Sequence, residues 1–82
     1  MRECRVRNRI RELRFHAGEM TQQQLADCVG LTRQTINAIE GGKYSPTLEA
    51  AFAIAEALGV PIHEAFAYDA PTHAPVARVR RA

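Results

Sequence analysis

The stretch from Thr21 to Gly42, TQQQLADCVGLTRQTINAIEGG, decides the fold. Thr21 offers a hydroxyl at a helix start, and Gln24 follows three residues on, the pairing that a capping box requires. Leu25, Ala26 and Val29 then fall on one side, and Gly30 stops the helix. Thr32 supplies a second N-cap, Ile36 and Ile39 a second apolar side, and Gly41-Gly42 a second stop. The turn Val29-Gly30-Leu31 between two such short helices has the pattern of a helix-turn-helix. Each residue meets a steric demand of that unit. Ala26 is small where the second helix must cross, Gly30 can adopt the left-handed backbone that reverses the chain, and Ile36 seats the second helix on the core.

Working outward, the flanks read as further helices. Ile10, Leu13 and Ala17 lie at i, i+3 and i+7, so a helix is expected from Asn8 to Ala17, ended by Gly18. KYSPT is a turn in which Pro46 bars helix continuation and Ser45 or Thr47 caps the fourth helix. That helix, Leu48 to Leu58, sets Leu48, Ala51, Ile54, Ala55 and Leu58 on one side. Pro61 opens a short fifth helix to Ala65. Phe66-Ala67-Tyr68 then alternates as a strand does, with Val6 available to a pairing strand. The expected fold is therefore all-α, with five short helices and a small terminal β-ribbon, in one domain over residues 1–69. APTHAPVARVRRA, residues 70–82, has prolines and no stripe, and reads as a flexible basic tail.

Composition agrees and narrows the function. A chain of 82 residues holds one small domain and a small core. Alanine supplies much of its apolar content, which favours packed helices over a sandwich or barrel. No apolar run approaches the roughly 18–20 residues that cross a bilayer, and the N-terminal MRECRVRNRIREL lacks the continuous apolar stretch of a signal peptide. Cys4 and Cys28 are too far apart for a metal knuckle, and His16, His63 and His73 show no ligand spacing with them. Phosphate loops, nucleophile elbows and zinc-protease signatures are missing from the sequence, so neither an enzyme nor a cofactor or metal is expected. The net charge of +2 is unevenly spread: both ends are arginine-rich, while the middle carries only Arg33 and Lys43 against seven acids, Glu19, Asp27, Glu40, Glu49, Glu56, Glu64 and Asp69. Basic ends suit an anionic partner.

From Asn8 to Tyr68 the chain closely resembles the small Cro/cI-like (Xre-type) helix-turn-helix regulators, specifically a subgroup of very short dimeric ones. The markers are IRELR, MTQQQLA, VGLTRQTINAIEGGKYSP and LEAAFAIAEALGVPIHEAF, with FAYD at the end. Glu19 is an apparent extra residue in the loop before the second helix. The resemblance implies a lambda-repressor-like DNA-binding domain.

At about 100° per residue, the apolar side of the third helix centres between Ile36 and Ile39, leaving Gln34, Asn37 and Ala38 outward and Arg33 at the exposed first turn. Such groups suit a major groove: arginine reaches guanine O6 and N7 together, and an amide does the same for adenine N6 and N7. The family's docking implies phosphate contacts from Gln22 and Thr32 as donors, and from Lys43 and Tyr44 in the loop after the third helix. It also implies a structural ion pair between Arg14 and Glu40, each about 70° from its helix's apolar stripe. Phe15, about 150° from that stripe, is either an exposed aromatic or one covered by the N-terminal strand or a partner.

The expected function is a sequence-specific DNA-binding transcriptional regulator, most simply a repressor that binds a near-palindromic operator as a homodimer in the cytoplasm, on the nucleoid. The resemblance places the dimer interface at Val60, Ile62, Phe66 and Tyr68; the alternative is that these residues only close the core. The competing class is an antitoxin-like module whose main task is to bind a partner protein, and which also binds DNA.

Overall fold

The structure is a computed structural model and describes residues 5–69; Cys4, His73 and the basic segment 70–82 lie outside the described residues. In chain order the elements are β1 (Val6–Asn8), α1 (Ile10–His16), α2 (Gln22–Val29), α3 (Arg33–Glu40), α4 (Leu48–Leu58), α5 (Ile62–Ala65) and β2 (Phe66–Tyr68). The all-α fold with a small β-ribbon is the architecture observed.

Local chemistry accounts for the helix starts. Thr21 Oγ1 accepts from the Gln24 N–H and Gln24 Oε1 from the Thr21 N–H, both at 2.9 Å, a complete capping box. Thr32 Oγ1 accepts from the Thr35 N–H at 3.0 Å, and Thr47 Oγ1 from the Ala50 N–H at 3.0 Å, so Thr47 rather than Ser45 caps α4. Each such cap contributes about 1 kcal/mol.

The ends are as well defined. Gly30 sits at φ 75°, which lets the Leu31 N–H reach the Ala26 carbonyl at 3.0 Å. A Cβ there would meet nothing within 4 Å, so backbone conformation and not space demands glycine. Gly42, at φ 74°, closes α3 the same way, with its own N–H on the Ile39 carbonyl and the Lys43 N–H on that of Ala38. Glu19 takes a left-handed turn with φ 59° without being glycine, at a cost of about 1–2 kcal/mol.

The helices enclose one core. Ile10, Leu25, Ile36, Ile39 and Ile54 are fully buried, with Leu13, Ala26, Ala55, Leu58 and Ala65 around them. Burying each large side chain contributes about 1.5–3 kcal/mol. β1 and β2 pair antiparallel with Val6 opposite Tyr68, Arg7 opposite Ala67 and Asn8 opposite Phe66. On the surface, Arg9 donates twice to Glu12 at 3.2 Å and so holds that carboxyl below its usual range.

Three expectations are corrected. The first helix begins at Ile10, not Asn8: Asn8 is a strand residue whose Oδ1 accepts from the Ile10 N–H at 3.1 Å, an Asx turn that ends the strand and starts the helix. Ala17 is exposed as the C-cap of α1 and adds nothing to the stripe. Leu48 is 70% exposed. It opens α4, and a helical side chain leans over the turn N-terminal to its own Cα, which here is the loop at Pro46 and Thr47 rather than the core.

Candidate nucleic-acid interface

The turn between α2 and α3 sets the two helices across each other, with Ala26 wholly buried beneath the crossing. Because Ile36 and Ile39 point into the core, α3 must turn its remaining sides outward. Arg33, Gln34 and Asn37 are exposed and Ala38 is half-buried. The expected reading face is thus accessible, and all four residues stand on one short, firmly capped helix.

Beside it stand the groups expected at phosphates. Thr32 is exposed, and its hydroxyl lies 2.9 Å from that of Thr35. Lys43 and Tyr44 are exposed in the loop that Gly42 redirects. Gln22 is different. Its Nε2 donates to Glu40 Oε1 at 3.1 Å and to Asn37 Oδ1 at 3.2 Å, so both amide hydrogens are held within the protein. A side-chain donation from Gln22 to phosphate is not available in this arrangement. Its position in the first turn of α2 leaves the main-chain N–H for that purpose.

Under this face lies the ion pair. Arg14 Nε donates to Glu40 Oε2 at 2.7 Å and its NH2 group to Oε1 at 3.1 Å, while its NH1 group donates to the Met20 carbonyl at 2.7 Å. The two side chains are only 14% and 9% exposed. This fork joins α1, the loop before α2, and α3, and it commits Arg14 to the interior rather than to an external anion.

One cation beside this face was not singled out in the sequence. Arg11 is exposed and lines the same shallow surface as Gln22, Asn37, Glu40 and Lys43, and a second depression with Gln23 and Arg33. The signal was available: Arg11 stands three residues before Arg14, and i, i+3 positions share a helix face. It adds a cation where the acidic middle of the chain is short of them. Phe15, 62% exposed and edge-on to His16 at 5.8 Å, lines the second depression and is not covered by β1.

At the other end, Val60, Ile62 and Phe66 are partly buried against the core, and Tyr68 is 65% exposed. Of the four, Ile62, Phe66 and Tyr68 line a shallow apolar groove with Val6, Leu48 and Ala51, and Val60 does not. Among the described residues, no group of three His, Cys, Asp or Glu side chains is placed to hold a metal, and no helix is long and apolar enough to cross a membrane.

A family model for helix-turn-helix proteins matches residues 10–64, from the start of α1 into α5. The chain belongs to the helix-turn-helix family of the Xre/Cro-cI type. Similar helix-turn-helix proteins include an HTH-type transcriptional regulator from Methanothermobacter thermautotrophicus, 56% identical over 54 residues, which are 66% of this chain and 77% of that one. Another, from Archaeoglobus fulgidus, is 45% identical over 64 residues, 78% of this chain and 90% of the relative. Among solved structures, the P22 c2 repressor in complex with a synthetic operator superimposes with a TM-score of 0.62 at 26% identity, over 66% of this chain and 80% of that one. This helix-turn-helix protein is a DNA-binding transcriptional regulator with a lambda-repressor-like domain.

Proposed function

We propose that the protein is a repressor that binds a near-palindromic operator as a homodimer. The observation that carries this reading is the outward face of α3: Arg33, Gln34 and Asn37 are exposed, with half-buried Ala38 beside them, on a helix whose opposite side, Ile36 and Ile39, is buried. A helix so presented fits the major groove. Arg33, Gln34 and Asn37 supply hydrogen bonds to base edges, and Ala38 a small apolar surface for a thymine methyl. Thr32, Lys43, Tyr44, Arg11 and the first turn of α2 hold the phosphates on either side, fixing register without reading sequence.

A half-site alone gives a small interface, so two copies reading sites about 34 Å apart make specific binding practicable. The apolar groove at Ile62, Phe66 and Tyr68 supports pairing there; Val60 packs on the core outside it. Leu48 and Phe52, exposed one helical turn apart on α4, extend the same apolar end. Occupying a promoter suffices for repression by a domain this small.

Selection of bound DNA from a random pool at physiological salt tests the reading. Enrichment of an inverted repeat with half-sites about one helical turn apart is expected. Binding without any enriched sequence would refute it.

A further inference from the structure

The hydrogen bonds around Gln22 fix more than its position; they fix the direction in which Asn37 faces. A carboxamide has a donor end and an acceptor end, and partners decide which way it points. Glu40, ionised and doubly bonded to Arg14, can only accept. The Gln22 atom 3.1 Å from Glu40 Oε1 must therefore be its NH2 group. That same NH2 group lies 3.2 Å from the Asn37 side chain, and so the Asn37 atom facing it must be an acceptor, Oδ1. One lone pair of Oδ1 is thereby taken, while the Asn37 NH2 group keeps both its hydrogens for an outside acceptor. The sign of one carboxylate is thus passed through two amides to the surface of α3.

We propose that Arg14, Glu40 and Gln22 act as positioning residues that present Asn37 to the groove as a donor, so that it selects an acceptor edge, guanine above all, and not adenine. The proposal rests on α3 being the helix that reads base edges. Adenine recognition by an amide uses both ends at once, the oxygen on N6–H and the nitrogen on N7, and here the oxygen is already held by a hydrogen bond from Gln22 and must keep that bond or turn from it to meet N6–H. Guanine presents O6 and N7, two acceptors side by side, and thymine presents O4; each is matched by an outward NH2. Specificity at this base pair then originates partly in groups that never touch DNA.

The experiment is selection from a random pool with the full chain and with three variants. Asn37→Ala identifies the position Asn37 reads, as the one whose preference disappears. At that position the wild-type protein is expected to favour guanine, or thymine, over adenine on the order of tenfold. Gln22→Met, which keeps helix propensity and removes the link, frees the Asn37 amide to turn, and adenine should rise several-fold at that position alone. Asn37→Asp, an exposed change that leaves only acceptors, should move the preference to the bases that offer donors, cytosine and adenine. A wild-type preference for adenine at the Asn37 position would overturn the proposal. So would a Gln22→Met protein that loses affinity evenly while its base choice stays fixed, since that is what a merely structural role predicts. The absence of any position dependent on Asn37 would overturn it as well. A pool that yields no enriched sequence even for the wild type refutes the groove-reading function itself, a separate result from adenine at one position.

Discussion

The two ends of this domain present opposite kinds of surface. Around α2 and α3, polar side chains are tied to one another: Arg14, Glu40, Gln22 and Asn37 are joined by hydrogen bonds of 2.7 to 3.2 Å. Around the start of α4 and the β-ribbon, Leu48, Phe52 and Tyr68 are exposed, and Leu48 and Tyr68 line an apolar groove. On the proposed function, the difference follows from the kind of partner each surface would meet. Polar recognition depends on direction, so its groups must be held before the partner arrives, whereas apolar contact depends on area and tolerates side chains that settle on contact.

That contrast breaks most visibly at the ion pair. Arg14→Met leaves Glu40 largely buried without its partner, and should cost about 3–5 kcal/mol, lowering the melting temperature by more than about 10 °C in a domain of this size. Adding Glu40→Leu should return much of the loss. Simple additivity in that double-mutant cycle would show that the two side chains are not coupled.

The apolar end should respond in assembly more than in folding. Tyr68→Lys is expected to turn a dimer into a monomer in sedimentation at micromolar concentration while melting stays close to that of the wild type at low concentration. Phe66→Asp, at a partly buried position, should either split the dimer or unfold the chain. A wild-type protein sedimenting as a single chain would exclude pairing here.

Within the polar face, base and phosphate contacts separate by how losses are distributed. Arg33→Ala should cost about 1–3 kcal/mol on the preferred site and relax one base pair. Lys43→Ala should weaken all sequences alike and reduce the salt slope by about 1. Uniform loss from both would remove Arg33 from the reading set. The smallest effect belongs to the loop before α2, where Glu19→Gly removes a left-handed non-glycine and should raise stability by about 0.5–1 kcal/mol in urea melts.

The features legible in the sequence were local. Thr21 with Gln24, Thr32, Gly30 and the spacing of Ile36 and Ile39 act within a turn or two of themselves, and the structure shows each doing so. The outward sides of α3 follow from that same spacing. The reading erred where a distant element intervened. Asn8 sits beside a helical stripe, yet pairing with Phe66, far along the chain, draws it into a strand. Gln22 looked like a donor to the outside because its acceptors, Asn37 and Glu40, lie on another helix and leave no periodic trace. Leu48 matched the α4 stripe by angle, but position along a helix axis is not encoded in angle, and at the first residue the core has already been left behind.

Asn8 carries a mechanical consequence. Its Oδ1 holds the start of α1 and its Nδ2 donates to the Ile39 carbonyl at 3.0 Å, in the last turn of α3. The Arg9 N–H, next in the chain, is bonded to the Ala65 carbonyl at 3.0 Å. One carboxamide thus bolts the ribbon to the far end of the α3 helix, and no slack segment lies between them. A load applied at β1, whether from a fused tag, a surface tether or a second ribbon, therefore has a direct hydrogen-bonded route to the last turn of α3.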